Sequence, residues 1–160
     1  MTAYSFRPMT AADLPLLLSW LQQPHVVEWW GDPDEQHRLV SGDLDEPAMD
    51  QFIVSADASD FAYIQCYDLT AWDSGFGEHP QGTRGIDQFI GEPDMVDRGH
   101  GSAFIRAFVE RTLANGAPRV VTDPDPVNAR AVRAYEKAGF ARAGLVDTPD
   151  GIALLMVRDA

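Results

Sequence analysis

Arg84-Gly85-Ile86-Asp87-Gln88-Phe89-Ile90, then Gly91-Glu92-Pro93, then Arg98-Gly99-His100-Gly101-Ser102 and the apolar positions Phe104, Ile105, Phe108, Val109, Thr112 and Leu113 read as strand, loop and amphipathic helix. The glycines either side of His100 let the backbone approach a ligand closely. The N–H groups at a helix start, helped by the helix dipole, bind phosphate oxygens. By physics this is a pyrophosphate cradle. It has neither the GxGxxG spacing of the dinucleotide fold nor the GxxxxGK[ST] of the P-loop, and a tight turn alone would also ask for such glycines.

Working outward, Tyr4-Ser5-Phe6-Arg7-Pro8 alternates like a first strand. Thr10-Ala11-Ala12-Asp13 has the form of a capping box, with Leu14, Leu17, Leu18 and Leu21 at helical spacing behind it and Pro15 tolerable in the first turn. Short helices and loops are expected over 24–50. Gln51–Ser55 and Phe61–Tyr67 read as strands around a turn at Asp57-Ala58-Ser59-Asp60, and 68–83, rich in Gly, Asp and Pro, as a loop. Val120-Val121-Thr122 is a short strand. Asp125-Pro126 suggests a cap and first helical position, Ala131, Val132, Tyr135 and Ala138 line one face, and Gly139 ends the helix. Residues 140–147 and 152–157 close as a strand pair around Pro149-Asp150-Gly151. The order specifies one α/β (α+β) domain over residues 1–160 with a mixed sheet.

The length of 160 residues allows one core, and 45% hydrophobic content with 10% aromatics is too apolar for a disordered chain. A net charge of −13 disfavours nucleic acid and anionic membrane as partners and favours cationic ligands. The charge is uneven. Residues 31–97 carry sixteen acids against Arg38 and Arg84, whereas 98–142 carry eight basic residues against four acids. This division suggests two surfaces with different ligands on one domain. One cysteine allows no internal disulfide, and neither a secretory leader nor a long apolar run is present, so a cytoplasmic location is expected. Cys66 reads as a small core residue, and His25, His37, His79 and His100 show no metal-ligand spacing.

The run Asp123-Pro124-Asp125-Pro126-Val127-Asn128-Ala129-Arg130-Ala131-Val132-Arg133-Ala134-Tyr135-Glu136-Lys137-Ala138-Gly139-Phe140 resembles the second signature of the GNAT superfamily of acetyl-CoA-dependent N-acetyltransferases, with the glycine loop as the first. Within it the chain looks most like the aminoglycoside 6'-N-acetyltransferases. That likeness runs through Glu28-Trp29-Trp30-Gly31, Arg84-Gly85-Ile86-Asp87-Gln88, Thr122-Asp123-Pro124, Tyr135–Phe140 and Thr148-Pro149-Asp150-Gly151. The resemblance implies a central sheet splayed into a V with flanking helices. It also implies acetyl-CoA as cosubstrate, a cationic amine as acceptor, no metal, and a monomer or homodimer.

The resemblance further implies the site. Asp87 is the expected proton acceptor, directly or through water, and Tyr135 the general acid at the coenzyme sulfur. Phe89, Ile90, Val96, Arg98, Gly99, His100, Gly101, Ser102, Asn128, Ala131, Tyr135 and Lys137 are expected at the coenzyme. Trp29, Trp30, Tyr67, Asp73, Asp87, Asp123 and Asp150 are expected at the acceptor. Each has a plainer reading from its residue chemistry: an edge charge for Asp87, core for Tyr135, turn residues for Asp123 and Asp150, helix filler for Asn128. Trp29 and Trp30 are adjacent, so only one of them readily enters a core. Val96 stands where most of the superfamily has Gln or Arg. An ordinary carboxylate near ~4 is a poor base for an ammonium near ~9, so positioning is expected to outweigh basicity. Alternative acceptors are N6-hydroxylysine, a polyamine or a peptide amine, and a non-catalytic acyl-CoA or antibiotic binder is a further reading.

Overall fold

The computed structural model describes residues 1–160. It divides into two compact units, Met1–Cys66 with Gln88–His100, and Tyr67–Asp87 with Gly101–Ala160. In the first, Tyr4–Pro8 (β1) pairs antiparallel with Met49–Ala56 (β2), from Tyr4 opposite Ala56 to Pro8 opposite Phe52. β2 returns as Ser59–Asp68 (β3) through Asp57 and Ala58 alone, at φ 47° and 70°. Two successive left-handed residues make the tight hairpin turn whose twist matches the strands. The turn is thus shorter than the four residues expected, and Ser59 and Asp60 belong to β3.

Leu14–Leu21 (α1), Pro24–Trp30 (α2) and Pro33–Gly42 (α3) lie between β1 and β2. The capping pattern holds, with Thr10 N–H donating to the Asp13 carboxylate at 2.9 Å, but it closes a 3-10 turn over Ala11–Asp13 before the α-helix begins. Arg7 donates to both oxygens of Asp13 and holds that carboxyl below its usual range. The buried stripe of α1 is Leu17, Trp20 and Leu21, so the indole completes the face expected from leucines alone. Trp20 packs with Met9, Val26, Val40, Ile53, Tyr63 and Phe89, and its Nε1–H donates to Glu92 at 2.9 Å.

Arg84–Ile90 (β4) is shared: its first four residues belong to the second unit and its last three to the first. After a 3-10 turn at Pro93–Met95 comes His100–Ala114 (α4), which buries Phe104, Ile105, Phe108 and Val109. The helix starts at His100, so Gly101 and Ser102 form its first turn instead of preceding it. Then follow Arg119–Thr122 (β5), Ala129–Lys137 (α5), Ala141–Thr148 (β6) and Gly151–Asp159 (β7). The seven strands run in the order β1-β2-β3-β4-β5-β7-β6, parallel at β4–β5 and antiparallel at β5–β7 and β6–β7. No helix is long and apolar enough to cross a membrane.

One cap differs from expectation. Asn128, not Asp125, caps α5, its Oδ1 accepting from Ala131 N–H at 3.2 Å. Asp125 is spent on a preceding turn, accepting from Val127 N–H on its side chain and from Asn128 N–H on its carbonyl. The other end is as read: Gly139 at φ 100°, with Gly139 N–H to Glu136 and Phe140 N–H to Tyr135, makes a complete Schellman stop.

Close approach explains Gly91. A Cβ there would lie 2.1 Å from Trp20 Cγ, so Gly91→Ala should destabilise the protein by about 1–3 kcal/mol. Urea unfolding of the two proteins measures the difference.

Candidate active site

The parallel ladder between β4 and β5 is two residues long, Arg84 opposite Val120 and Gly85 opposite Val121. Continuing that register sets Ile86 level with Thr122, whose buried hydroxyl donates to Ile86 O at 3.1 Å. The next position on each chain is an aspartate, Asp87 on β4 and Asp123 just past β5, both half-buried. Asp150, exposed in the β6–β7 turn, is the third carboxylate of this group. The Asp123 carboxyl is pushed up to about 8, first because burial disfavours its charged form, then because Asp87 and Asp150 add like charge. Below that pH the group holds a proton that an ordinary surface aspartate would have released.

Tyr67, the first residue of the second unit, lies buried with its ring over Gly85, where a Cβ would come within 2.3 Å of Tyr67 Cζ. Trp72 meets that ring edge-on, centroids 5.7 Å apart. The segment 68–83 encloses a cavity of about 290 Å³ lined by Trp72, Asp73, Phe76, His79 and Thr83 among others. Asp73 therefore faces this cavity, whereas the charges that raise Asp123 come from Asp87 and Asp150.

In the first unit, Trp29 is exposed while Trp30 packs against Tyr63 and Phe89, centroids 6.3 and 5.0 Å away. The adjacency rule thus holds, with one indole in the core. Phe89 is itself core, and the Ile90 carbonyl bonds His25 Nε2 at 2.8 Å. Asp97, Arg98 and Gly99 are exposed, with Asp97 at φ 61° and Gly99 at φ 80°. His100 Nδ1 bonds the Tyr4 hydroxyl at 2.7 Å, so its ring is tied to β1 at the start of α4. On α5, Ala131 lies in the first turn, Tyr135 is buried edge-on to Phe140 at 5.5 Å, and Lys137 is exposed with its carbonyl accepting from Arg106.

Residues 9–148 match the family described as acetyltransferase (GNAT) domain. The chain belongs to the GNAT acetyltransferase family. It is 37% identical to aminoglycoside N(6')-acetyltransferase type 1 of Klebsiella pneumoniae over 96% of this chain and 82% of that one. A kanamycin resistance protein of Rhizobium radiobacter is 45% identical over 51% of this chain and 76% of its own. Among solved structures, AAC(6')-Ib in complex with coenzyme A and kanamycin superposes with a TM-score of 0.88 at 35% identity, covering 98% of this chain and 95% of the other.

The acetyltransferase's own backbone fits a coenzyme phosphate. A fifteen-residue helix begins at His100, and a Cβ built at Gly99 would meet nothing within 4 Å, which leaves open space in front of the loop. Arg98 follows Asp97 in the chain, and both are exposed. The acid group draws on more than one charge segment. Only Asp87 comes from the acidic 31–97 segment; Asp123 and Asp150 come from later ones. Sequence reading also passed over Gly85 and Thr122 as site-shaping residues. Glycine inside a strand is the signal that would have pointed to Tyr67, because it marks close approach by another group.

The raised Asp123 gives a stability prediction with a definite sign. Its proton is bound more tightly folded than unfolded, so its ionisation opposes folding progressively as pH rises from ~4 through about 8. The stability of Asp123→Asn relative to the parent should therefore rise steadily from pH ~4 to about 8 and level off above that, as read from urea midpoints at a series of pH values.

Proposed function

We propose that this GNAT acetyltransferase moves the acetyl group of acetyl-CoA to a primary amine of a polycationic amino sugar, the 6'-amine of aminoglycoside antibiotics. The observation that carries the reading is the Asp87–Asp123–Asp150 group with its retained proton. Carboxylates that cannot all ionise together favour a bound cation and supply a proton acceptor at one place. The similarity along nearly the whole chain to aminoglycoside N(6')-acetyltransferase supports the substrate class.

The acceptor arrives as an ammonium and must lose a proton before nitrogen can attack. An ammonium holds its proton near ~9, so an ionised carboxyl at about 8 is a better-matched acceptor than one near ~4, and that ionised form of Asp123 is present as pH approaches 8. Asp87 comes level with Asp123 across the β4–β5 register, and its charge adds to the burial that raises the Asp123 carboxyl. Asp150, at the exposed rim, draws the cation in. Trp72, exposed in the same unit, offers a face for a sugar ring.

Val96–Ser102 and the first turn of α4 hold the coenzyme phosphates through backbone N–H groups. When bound, acetyl-CoA supplies the acetyl group as a thioester, whose C–S bond is exchanged for the amide C–N bond while the sulfur leaves with a proton. Tyr135 carries a hydroxyl on α5 suited to donate that proton.

Purified protein incubated with acetyl-CoA and kanamycin or tobramycin should release CoA and yield a singly acetylated product by mass spectrometry. An absence of product across 6'-amino aminoglycosides removes the substrate class. Asp87→Ala should lower kcat by about 10²–10⁴ with acetyl-CoA binding unchanged; unaltered turnover removes Asp87 from its role.

A further inference from the structure

The segment 68–83 has one 3-10 turn, Leu69–Ala71, and three glycines at positive φ, Gly75, Gly77 and Gly82. A chain of that composition loses much conformational entropy when ordered, so something must hold it. Near its start, Trp72 rests on Tyr67, which covers Gly85 two residues before Asp87. At its middle, Gly75 packs so closely on β6 that a Cβ would lie 2.0 Å from Asp147 O, three residues before Asp150. The segment thus bridges the two strands that lead to Asp87 and Asp150.

A third anchor is made by side chains. His79 Nε2 lies 2.9 Å from Phe76 O, and His79 Nδ1 lies 3.2 Å from Arg119 Nη1 on β5. Arg119 is held by Asp159 on β7, Nε to Oδ1 at 2.6 Å. Guanidinium only donates, so Nδ1 is the acceptor and Nε2 carries the hydrogen that Phe76 O receives. The imidazole is thus engaged at both nitrogens. It joins the inside of the segment to two strands of the sheet.

We infer that His79 is a positioning residue for the amine acceptor: through Arg119 and Asp159 it locks segment 68–83 so that Trp72 and Asp73 form a preformed wall for the acceptor. The inference rests on the proposed amine acetyltransferase reading. Its energetic content is preorganisation: an acceptor meeting an ordered wall does not have to order it on binding.

The test uses His79→Ala and His79→Gln in the full chain. Glutamine has an N–H donor and an oxygen acceptor, so it can serve both Phe76 O and Arg119. In His79→Ala, amide exchange over 68–83 should accelerate about tenfold and acceptor KM rise about tenfold, with kcat and the KM for acetyl-CoA within about twofold. His79→Gln should restore most of both. Unchanged exchange overturns the inference, as does faster exchange with unchanged acceptor KM, or a joint decline of kcat and both KM terms. If the parent protein acetylates no aminoglycoside, the substrate reading fails separately, and the exchange comparison still decides whether His79 anchors the segment.

Discussion

The register of two short parallel strands governs the site. Once Arg84 lies opposite Val120 and Gly85 opposite Val121, the chain has no choice about what comes level three residues later. Those positions are Asp87 and Asp123, and Thr122 fixes the intervening step through its bond to Ile86 O. A one-residue slip would separate the carboxylates and turn one of them to the other face. Two parallel strands cannot be joined by a tight turn, so the intervening chain must supply a crossover, and α4 is that crossover. The helix that follows the glycine loop is therefore also the one that lets the two aspartates come level.

Magnitudes separate the causes of the raised Asp123. Neighbouring strands lie ~4.8 Å apart, and two unit charges at that spacing repel by roughly 3 kcal/mol at an effective dielectric of ~20. That is worth somewhat more than a hundredfold in proton affinity, too little to lift a carboxyl from ~4 to about 8. Burial must contribute, and it is the larger cause. Desolvation makes the carboxyl a better base, and the neighbouring carboxylates direct that basicity at a cation.

Much of this was legible in residues 84–140. Hydrophobic alternation located β4 and β5, the glycines located the helix start, and Tyr135–Phe140 located the end of α5 with its Schellman glycine. What was not legible depended on three-dimensional neighbours. The α5 cap moved from Asp125 to Asn128 because Asp125 found partners in its own turn. Trp20 joined the core because Gly91 left room for an indole. The 68–83 segment looked featureless because its order comes from Asp147, Arg119 and Asp159, residues far along the chain, while its own glycines signal only freedom. Asp123 was expected at the acceptor from a resemblance, but its raised carboxyl was not foreseen, since no sequence pattern reports burial.

The most direct measurement is a pH titration of the Asp123 side-chain carboxyl by ¹³C NMR, in the parent protein and in Asp87→Asn. The account predicts a midpoint at about 8 in the parent and a lower one when the Asp87 charge is removed. A midpoint in the ordinary carboxylate range near ~4 in both proteins would contradict it.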